Sequence, residues 1–290
     1  MKPHVTAIVV TYESARVIGA CLASLKGQAD AVIVADNASQ DDSAAIAERD
    51  GARVLRLGAN LGYGVANNRA IAAAEGATWC LIVNPDVTLE AGCVAALLAA
   101  ADAHSNAAIL VPQLVEPDGR LFFRSESVLS PCEPVMPVLP EPPATTTPIG
   151  FISGACLLVD RGQFLEIGGF DPAIFLFQED DDLSLRVRLA GQTILFVPDA
   201  RARHLRGGSS APKPGATYLS RFHQAWSRAY IAHKYGLPDD SFAVALRNGL
   251  KFLGAALTFN RRRMERYAGS CAGAWTAWRG RPHGQGDGSA

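Results

Sequence analysis

The stretch FQEDDDLSLR at 177–186 sets four acids side by side: Glu179, Asp180, Asp181 and Asp182. Crowded carboxylates disfavour one another's ionised forms, which raises a pKa towards the range a general base needs near neutrality. The plain alternative is a solvated helix start, where acids are favoured by the helix dipole. A helix turns about 100° per residue, so all four cannot face one pocket. A second group of polar residues recurs wherever an apolar run stops: Thr11-Tyr12-Glu13, Asp36-Asn37, Asn60 and Asn84-Pro85-Asp86. Singly, each has turn or cap duty as its simplest account, and Asp36, Asn37, Ser39 and Asp41 make a good N-cap cluster. Together they favour a ligand site on one edge. Pro85 locks its own φ and keeps Asn84 extended, so Asp86 is rigidly placed. A carboxylate held that way can share Mg²⁺ or Mn²⁺ with a diphosphate.

The elements that must position these residues follow from the hydrophobic pattern. Candidate strands at 5–12, 31–37, 52–57, 78–86 and 107–114 alternate with helical runs around 14–27, 41–50, 64–75 and 90–104. The strands are apolar throughout, which predicts burial on both faces of a mostly parallel sheet in a doubly wound α/β domain. Ligands in such sheets sit at the carboxyl ends of the strands, near a switch in strand order. A proline-rich surface loop is expected at 131–148, then a strand at 150–160, a short helix ending at Gly168-Gly169, and a strand at 192–206 leading into a Gly/Ser/Pro segment at 207–215. The alternation in LSLRVRL favours a strand, whereas the preceding acids and Gly191 favour a helix from about 180 to 190; the caps decide for helix. Residues from 217 to about 278 read as helical.

Composition narrows the function classes. The 290 residues are 49% hydrophobic and 19% charged with a net charge of −1, which supports a large core and argues against nonspecific nucleic-acid binding. Six scattered cysteines without a CxxC pair fit a reducing cytoplasm. No secretory signal is expected, and Arg247, Asn248 and Lys251 interrupt the longest apolar stretch, 242–259. The run LGYGVANN at 61–68 carries Gly62-x-Gly64, but Asn67 stands where a dinucleotide fingerprint needs glycine, and the run follows the third strand. A Rossmann-type NAD(P)-dependent oxidoreductase is thus an alternative reading, and a nonenzymatic nucleotide-binding module another.

Seven motifs in order resemble the family 2 glycosyltransferases, in particular their bacterial rhamnosyltransferase-like branch. They are VVTYES (9–14), VADNASQDDS (34–43), NLGYGVANNRAI (60–71), LIVNPDV (81–87), GACLLVDRGQFLEIGGFD (154–171), FQEDDDLSLR (177–186) and VPDARARHLRGGSS (197–210). The resemblance spans about residues 4–235. It implies the GT-A fold, with a Rossmann-like nucleotide-binding half at about 1–115 and an acceptor half at about 150–235. A helical extension at 236–278 and a disordered tail at 279–290 would follow. It further implies an inverting glycosyltransferase in surface-polysaccharide biosynthesis. The donor would be a nucleoside-diphosphate sugar, dTDP-rhamnose being favoured over UDP- or GDP-sugars, and the acceptor a saccharide or lipid-linked hydroxyl.

Carried over residue by residue, Asp180 would be the catalytic base, supported by Glu179, with Asp182 capping the helix or pairing with Arg186. Asp181 falls at a variable position and is expected to be solvated. Thr11, Tyr12 and Glu13 would edge the nucleotide, and Asp36 would hydrogen-bond the base. Asn60, Asn67 and Asn68 would shape the pocket near Asn84. Asp86 would hold the divalent cation, with His204 approaching it or the diphosphate, whose charge Arg201, Arg203 and Arg206 would offset. Two departures stand out: Asn84-Pro85-Asp86 replaces the usual Asp-x-Asp, and Arg69 replaces a small residue. Trp226, Tyr230, Tyr235, Phe242, Phe252 and Phe259 are candidates for an acceptor groove or for helix packing. Arg261-Arg262-Arg263 suggests peripheral contact with the inner face of a membrane, the protein being otherwise cytoplasmic.

Overall fold

The computed structural model describes residues 3–129, 132, 138–206 and 214–280. Parts of the expected proline-rich loop and Gly/Ser/Pro segment, and nearly all of the expected tail, lie outside them. Contacts divide the chain into two compact units. One comprises Met1–Phe170 and Asp180–Ala211, the other Asp171–Glu179 and Pro212–Ala290.

The first unit is built on one sheet. Its strands are β1 (Val5–Thr11), β2 (Ala31–Asp36), β3 (Arg53–Arg56), β4 (Trp79–Val83), β5 (Val87–Leu89), β6 (Ala107–Val115), β7 (Leu121–Phe122), β8 (Thr147–Pro148), β9 (Cys156–Asp160) and β10 (Thr193–His204). The order is β3-β2-β1-β4-β9-β6-β10-β5, with β7 on β6 and β8 on β10. The first four strands run parallel. β9 is inserted antiparallel between β4 and β6, and β5 pairs antiparallel with β10. Wholly apolar strands announce burial on both faces but not direction, which is why the pattern could not show β9 reversing.

Alternation along β1 shows the two faces directly. Val5, Ala7 and Val9 enter one hydrophobic cluster with Ile18, Cys21, Leu22 and Leu25 of α1 (Ile18–Leu25) and Val94 and Leu97 of α4 (Cys93–Ala103). Ile8, between them, enters the other, with Ala66, Ala70 and Ile71 of α3 (Tyr63–Ala73), Phe164 of α5 (Arg161–Glu166), and Leu183 and Val187 of α6 (Glu179–Leu189). Each face is thereby covered by helices, the expected α/β layering. α2 (Ser43–Arg49) completes the helices before β3. α6 confirms the helix expected over LSLRVRL. Its Leu183, Leu185 and Val187 are all fully buried, so the apparent alternation came from a helix enclosed on most sides.

The second unit holds α7 (Ala216–Lys234), α8 (Ser241–Leu257) and α9 (Arg261–Trp278). Trp226 stacks on Tyr230, one turn further along α7, with ring centroids 5.2 Å apart, and Trp226 is almost fully buried. Asp171 receives hydrogen bonds from Tyr230 Oη (2.9 Å) and Lys234 Nζ (2.6 Å), pinning the 171–179 segment to α7. α7 and α9 meet through glycine. A Cβ at Gly269 would stand 2.2 Å from the Tyr218 carbonyl oxygen, and one at Gly273 2.2 Å from that of Phe222. Backbone oxygens cannot yield as side chains do. Gly273→Ala is therefore expected to force the helices apart and cost about 1–3 kcal/mol, seen as a lowered Tm. Gly254→Ala, where a Cβ meets nothing within 4 Å, should leave Tm unchanged or slightly raised.

Candidate active site

The strand ends expected to carry the site converge as the parallel register dictates. Thr11 pairs with Asp36, placing the ends of β1 and β2 level, and β4 lies on the other side of β1. The loops beyond are locked together by side chains. Gln40 N–H donates to Glu13 Oε1 (3.0 Å), Glu13 N–H to Ser39 Oγ (3.1 Å), and Ser39 N–H to Asp36 Oδ1 (3.2 Å). Ser14 N–H donates to Ser43 Oγ (2.7 Å) and Ala15 N–H to Asp41 Oδ2 (3.0 Å). These bonds explain why α1 begins only at Ile18 rather than near residue 14. Glu13 (φ 57°) and Ala38 (φ 63°) both adopt left-handed backbone at these ends, a conformation that costs energy in non-glycine residues and concentrates at functional sites.

Asn37 ties the third loop in. Its Nδ2 donates to the Gly62 carbonyl (3.2 Å) and its Oδ1 accepts from Leu61 N–H (2.8 Å), while Asn60 Oδ1 accepts from Gly62 N–H (3.1 Å). Asn68 clasps the main chain of Phe170 with both amide atoms, at 2.7 and 2.9 Å. Asn67 Nδ2 donates to the Tyr63 carbonyl, but its Oδ1 and the Thr11 hydroxyl are buried without a hydrogen-bond partner among the described residues. Such orphaned groups cost about 1–3 kcal/mol each unless a bound molecule satisfies them. Tyr12 stays half-buried beside them.

Asp86 and His204 are brought together by β5, a three-residue strand invisible in the sequence pattern. Val87 pairs with His204 in the antiparallel β5–β10 ladder, and Leu205 N–H donates to the Asp86 carbonyl (3.0 Å). The Asp86 carboxylate, 2% exposed, lies with its Oδ1 3.5 Å from His204 Nε2. Asn84 supports the turn, its carbonyl accepting from Val87 N–H (3.0 Å) and from the Cys21 thiol. Among the described residues no three His, Cys, Asp or Glu side chains gather as a metal-holding cluster. The Asp86–His204 pair does fit a divalent cation: a hard oxygen and an imidazole nitrogen suit Mg²⁺ or Mn²⁺ when the ligand's own oxygens complete the shell. Arg203 and Arg206 are engaged with Glu90 (3.1 Å) and Glu116 (2.7 Å), leaving exposed Arg201 as the strand-end arginine outside those ion pairs.

At the start of α6 the four acids separate by environment. Asp182 is fully buried and pairs with Arg186 at 2.8 Å, the i,i+4 contact expected; Arg186 also donates to the Ile167 and Gly169 carbonyls at 2.9 and 2.6 Å. Asp181 overturns its expectation. Rather than being solvated it is 3% exposed, accepting from Ser127 Oγ and Val128 N–H, both at 2.8 Å, with Arg124 at 3.6 Å. It fastens the 127–128 loop to the helix, a role that only long-range contact reveals. Glu179 is 8% exposed.

Asp180 is held differently. Its Oδ2 accepts from Gly154 N–H at 2.9 Å, and the Tyr63 hydroxyl donates to the Gly154 carbonyl. Its Oδ1 is buried without a hydrogen-bond partner among the described residues. A Cβ at Gly154 would stand 2.5 Å from that Oδ1, so only glycine permits the approach. Burial pushes the Asp180 carboxyl up to about 7; the Gly154 hydrogen bond and Arg124 oppose this, and Asp181 adds to it. Gly154 and Tyr63 were not singled out from sequence. The available signal was a glycine inside the expected strand 150–160, two residues before the apolar run that β9 (Cys156–Asp160) uses.

Among solved structures, the chain aligns over 96% of its length with GalNAc-T7, crystallised with UDP, GalNAc and Mn²⁺, at TM-score 0.60 and 16% identity, covering 56% of that longer chain. It aligns equally fully with the mannosyltransferase PcManGT of Pyrobaculum calidifontis, solved with GDP-Man and Mn²⁺, at TM-score 0.56 and 19% identity, covering 88% of it. These likenesses define the fold as the GT-A fold. The chain belongs to glycosyl transferase family 2, whose profile matches residues 6–168. It is 34% identical over 249 residues to the N-acetylglucosaminyl-diphospho-decaprenol L-rhamnosyltransferase of Mycobacterium tuberculosis, spanning 75% of this chain and 81% of the relative.

The raised Asp180 pKa has a consequence for stability. A carboxyl whose folded pKa lies near 7, against an ordinary 3.8, favours the folded state fully below about pH 4 and loses that contribution as pH rises through about 7. Asp180→Asn removes the titration. The difference in Tm between Asp180→Asn and the parent protein is therefore expected to grow in the variant's favour from pH 4 to pH 8. Parallel Tm curves would contradict the buried, raised carboxyl.

Proposed function

We propose that this glycosyltransferase moves a sugar, with inversion, from a nucleoside diphosphate to a hydroxyl of a saccharide or lipid-linked acceptor, with Asp180 as the general base. The observation that carries the reading is the state of Asp180. One oxygen is fixed on a backbone N–H, the other is buried with no hydrogen-bond partner among the described residues, and the carboxyl titrates near neutrality. A base so poised can take a proton and release it at working pH. In the reaction the acceptor oxygen attacks the anomeric carbon as its proton passes to Asp180. The bond from that carbon to the diphosphate oxygen breaks, and the nucleoside diphosphate leaves. One displacement without a covalent intermediate inverts the centre.

The orphaned Thr11 hydroxyl and Asn67 carbonyl oxygen, with Tyr12 and Asp36 beside them, would take the nucleotide end of the donor. Glu13, Asn60 and Asn68 would hold the loops that frame it, their polar atoms being bonded to neighbouring main chain. A divalent cation held by Asp86 and His204 would supply positive charge to the diphosphate. The rhamnosyltransferase relative favours rhamnose as the sugar, for which dTDP-rhamnose is the donor that the family resemblance implies, and the diphospho-decaprenol in that relative's name favours a lipid-linked acceptor. Both solved neighbours carried a nucleotide and Mn²⁺, which supports the donor class and the cation.

Thermal shift with dTDP, UDP and GDP, with and without Mn²⁺, is expected to show stabilisation by one nucleotide that increases with the cation. Asp86→Ala should abolish the increase. Asp180→Asn is expected to keep that stabilisation while transfer falls about 10²–10⁴-fold. In the parent protein kcat/KM should rise with pH to a plateau above about 7, as Asp180 ionises. Near-parental turnover by Asp180→Asn would remove it from the base role.

A further inference from the structure

α8 presents an apolar face that its own unit does not cover. Phe242, Leu246, Leu250, Leu253 and Leu257 are 49%, 57%, 62%, 59% and 84% exposed. At 100° per residue they fall within an arc of about 80°, forming a stripe about 22 Å long. Ser241, Ala245 and Ala255, on the far side of the helix, are the buried residues of α8, so apart from Phe242 at its start the stripe lies away from the buried face. Phe259, just past the helix end, is 90% exposed as well. At the other end Phe242 meets an aromatic group on α9, with Trp278 at 5.1 Å and Trp275 at 6.5 Å, and the Arg279 guanidinium lies 4.5 Å from the Trp275 ring centroid. Five large apolar side chains in so narrow an arc do not arise from ordinary surface scatter.

The charges around the stripe select its occupant. Residues 241–280 carry seven cations (Arg247, Lys251, Arg261, Arg262, Arg263, Arg266 and Arg279) against one acid, Glu265, in a chain whose net charge is −1. All seven are exposed, and Arg247 and Lys251 flank the stripe on one side at about 140° and 180° on the helical wheel. A second copy of the chain would set this cationic face against itself in a two-fold contact, like charge on like. No helix among the described residues is long and apolar enough to cross a membrane. A basic, leucine- and aromatic-faced helix of this length suits lying in the plane of an anionic bilayer, its apolar face sunk about 5–10 Å and its cations at the headgroups. We propose that α8, with the aromatic end of α9, docks this protein onto an anionic lipid surface. The inference is independent of the catalytic reading, because it rests on residues of the second unit alone.

The test is vesicle co-sedimentation of the full chain with phosphatidylcholine alone and with added phosphatidylglycerol. Binding to the anionic vesicles is expected, weakening as salt is raised. Leu250→Glu with Leu257→Glu, both on the exposed side, should lower partitioning at least about tenfold while leaving Tm near the parent value. Arg262→Glu with Arg263→Glu should lose the preference for phosphatidylglycerol, since each basic residue near such a surface is worth about 1 kcal/mol, roughly fivefold. Failure of the parent protein to sediment with either vesicle would overturn the proposal. So would unchanged binding by the leucine pair. A parent dimer that the leucine pair dissociates, without vesicle binding, would assign the face to a second copy and likewise overturn it. None of these readouts depends on turnover, so they stand or fall apart from the proposed donor, acceptor and base.

Discussion

Burying adjacent carboxylates is the constraint around which the candidate site is arranged. A charge removed from water must be paired, hydrogen-bonded or neutralised. At the start of α6 each solution appears once. Asp182 takes a guanidinium, Asp181 takes a hydroxyl and a backbone N–H with Arg124 nearby, and Asp180 keeps one N–H and a pKa near 7. The first two bonds fix the helix to the 167–169 and 127–128 main chain. The third carboxylate is held by Gly154 N–H through one oxygen, and its other oxygen has no hydrogen-bond partner among the described residues.

The same helix depends on glycine at 154 and on Ser184, which donates to the Asp180 carbonyl and accepts from Ile152 N–H at 3.0 Å. Through Gly154 the carboxylate is linked to Tyr63, the first residue of α3, and through Asn37 and Asn60 the turn before α3 is linked to the ends of β1 and β2. A continuous set of short polar contacts therefore connects the ends of β1 and β2 with the carboxylate proposed as base. The Asp86–His204 pair stands on a separate support, the β5–β10 ladder.

Much of this was legible beforehand, for identifiable reasons. Apolar strands alternating with helices announced the layering. The four-residue spacing of Asp182 and Arg186 offered an ion pair beside a capping role, and the pair is what forms, since helical neighbours are decided within one turn. Asp181 was misjudged because its partners lie 53 and 54 residues away, beyond the reach of local pattern. β5 was missed because three residues carry no periodicity. The reversal of β9 was hidden because a strand buried on both faces reads the same in either direction.

Patterning along the chain was enough for the α/β class and for the edge at which polar residues gather, and seven ordered motifs were enough for the family. These follow from local preferences and short spacings that each segment carries wherever it lies. Contacts across the fold gave three of the four adjacent acids different partners: Arg186 for Asp182, Ser127 and Val128 for Asp181, and Gly154 for Asp180. They also decided which strand joins Asp86 to His204, and that the α8 leucines face outward instead of into a core. Burial, and the partner each charge finds on burial, are properties of contacts between distant segments, and no single segment encodes them.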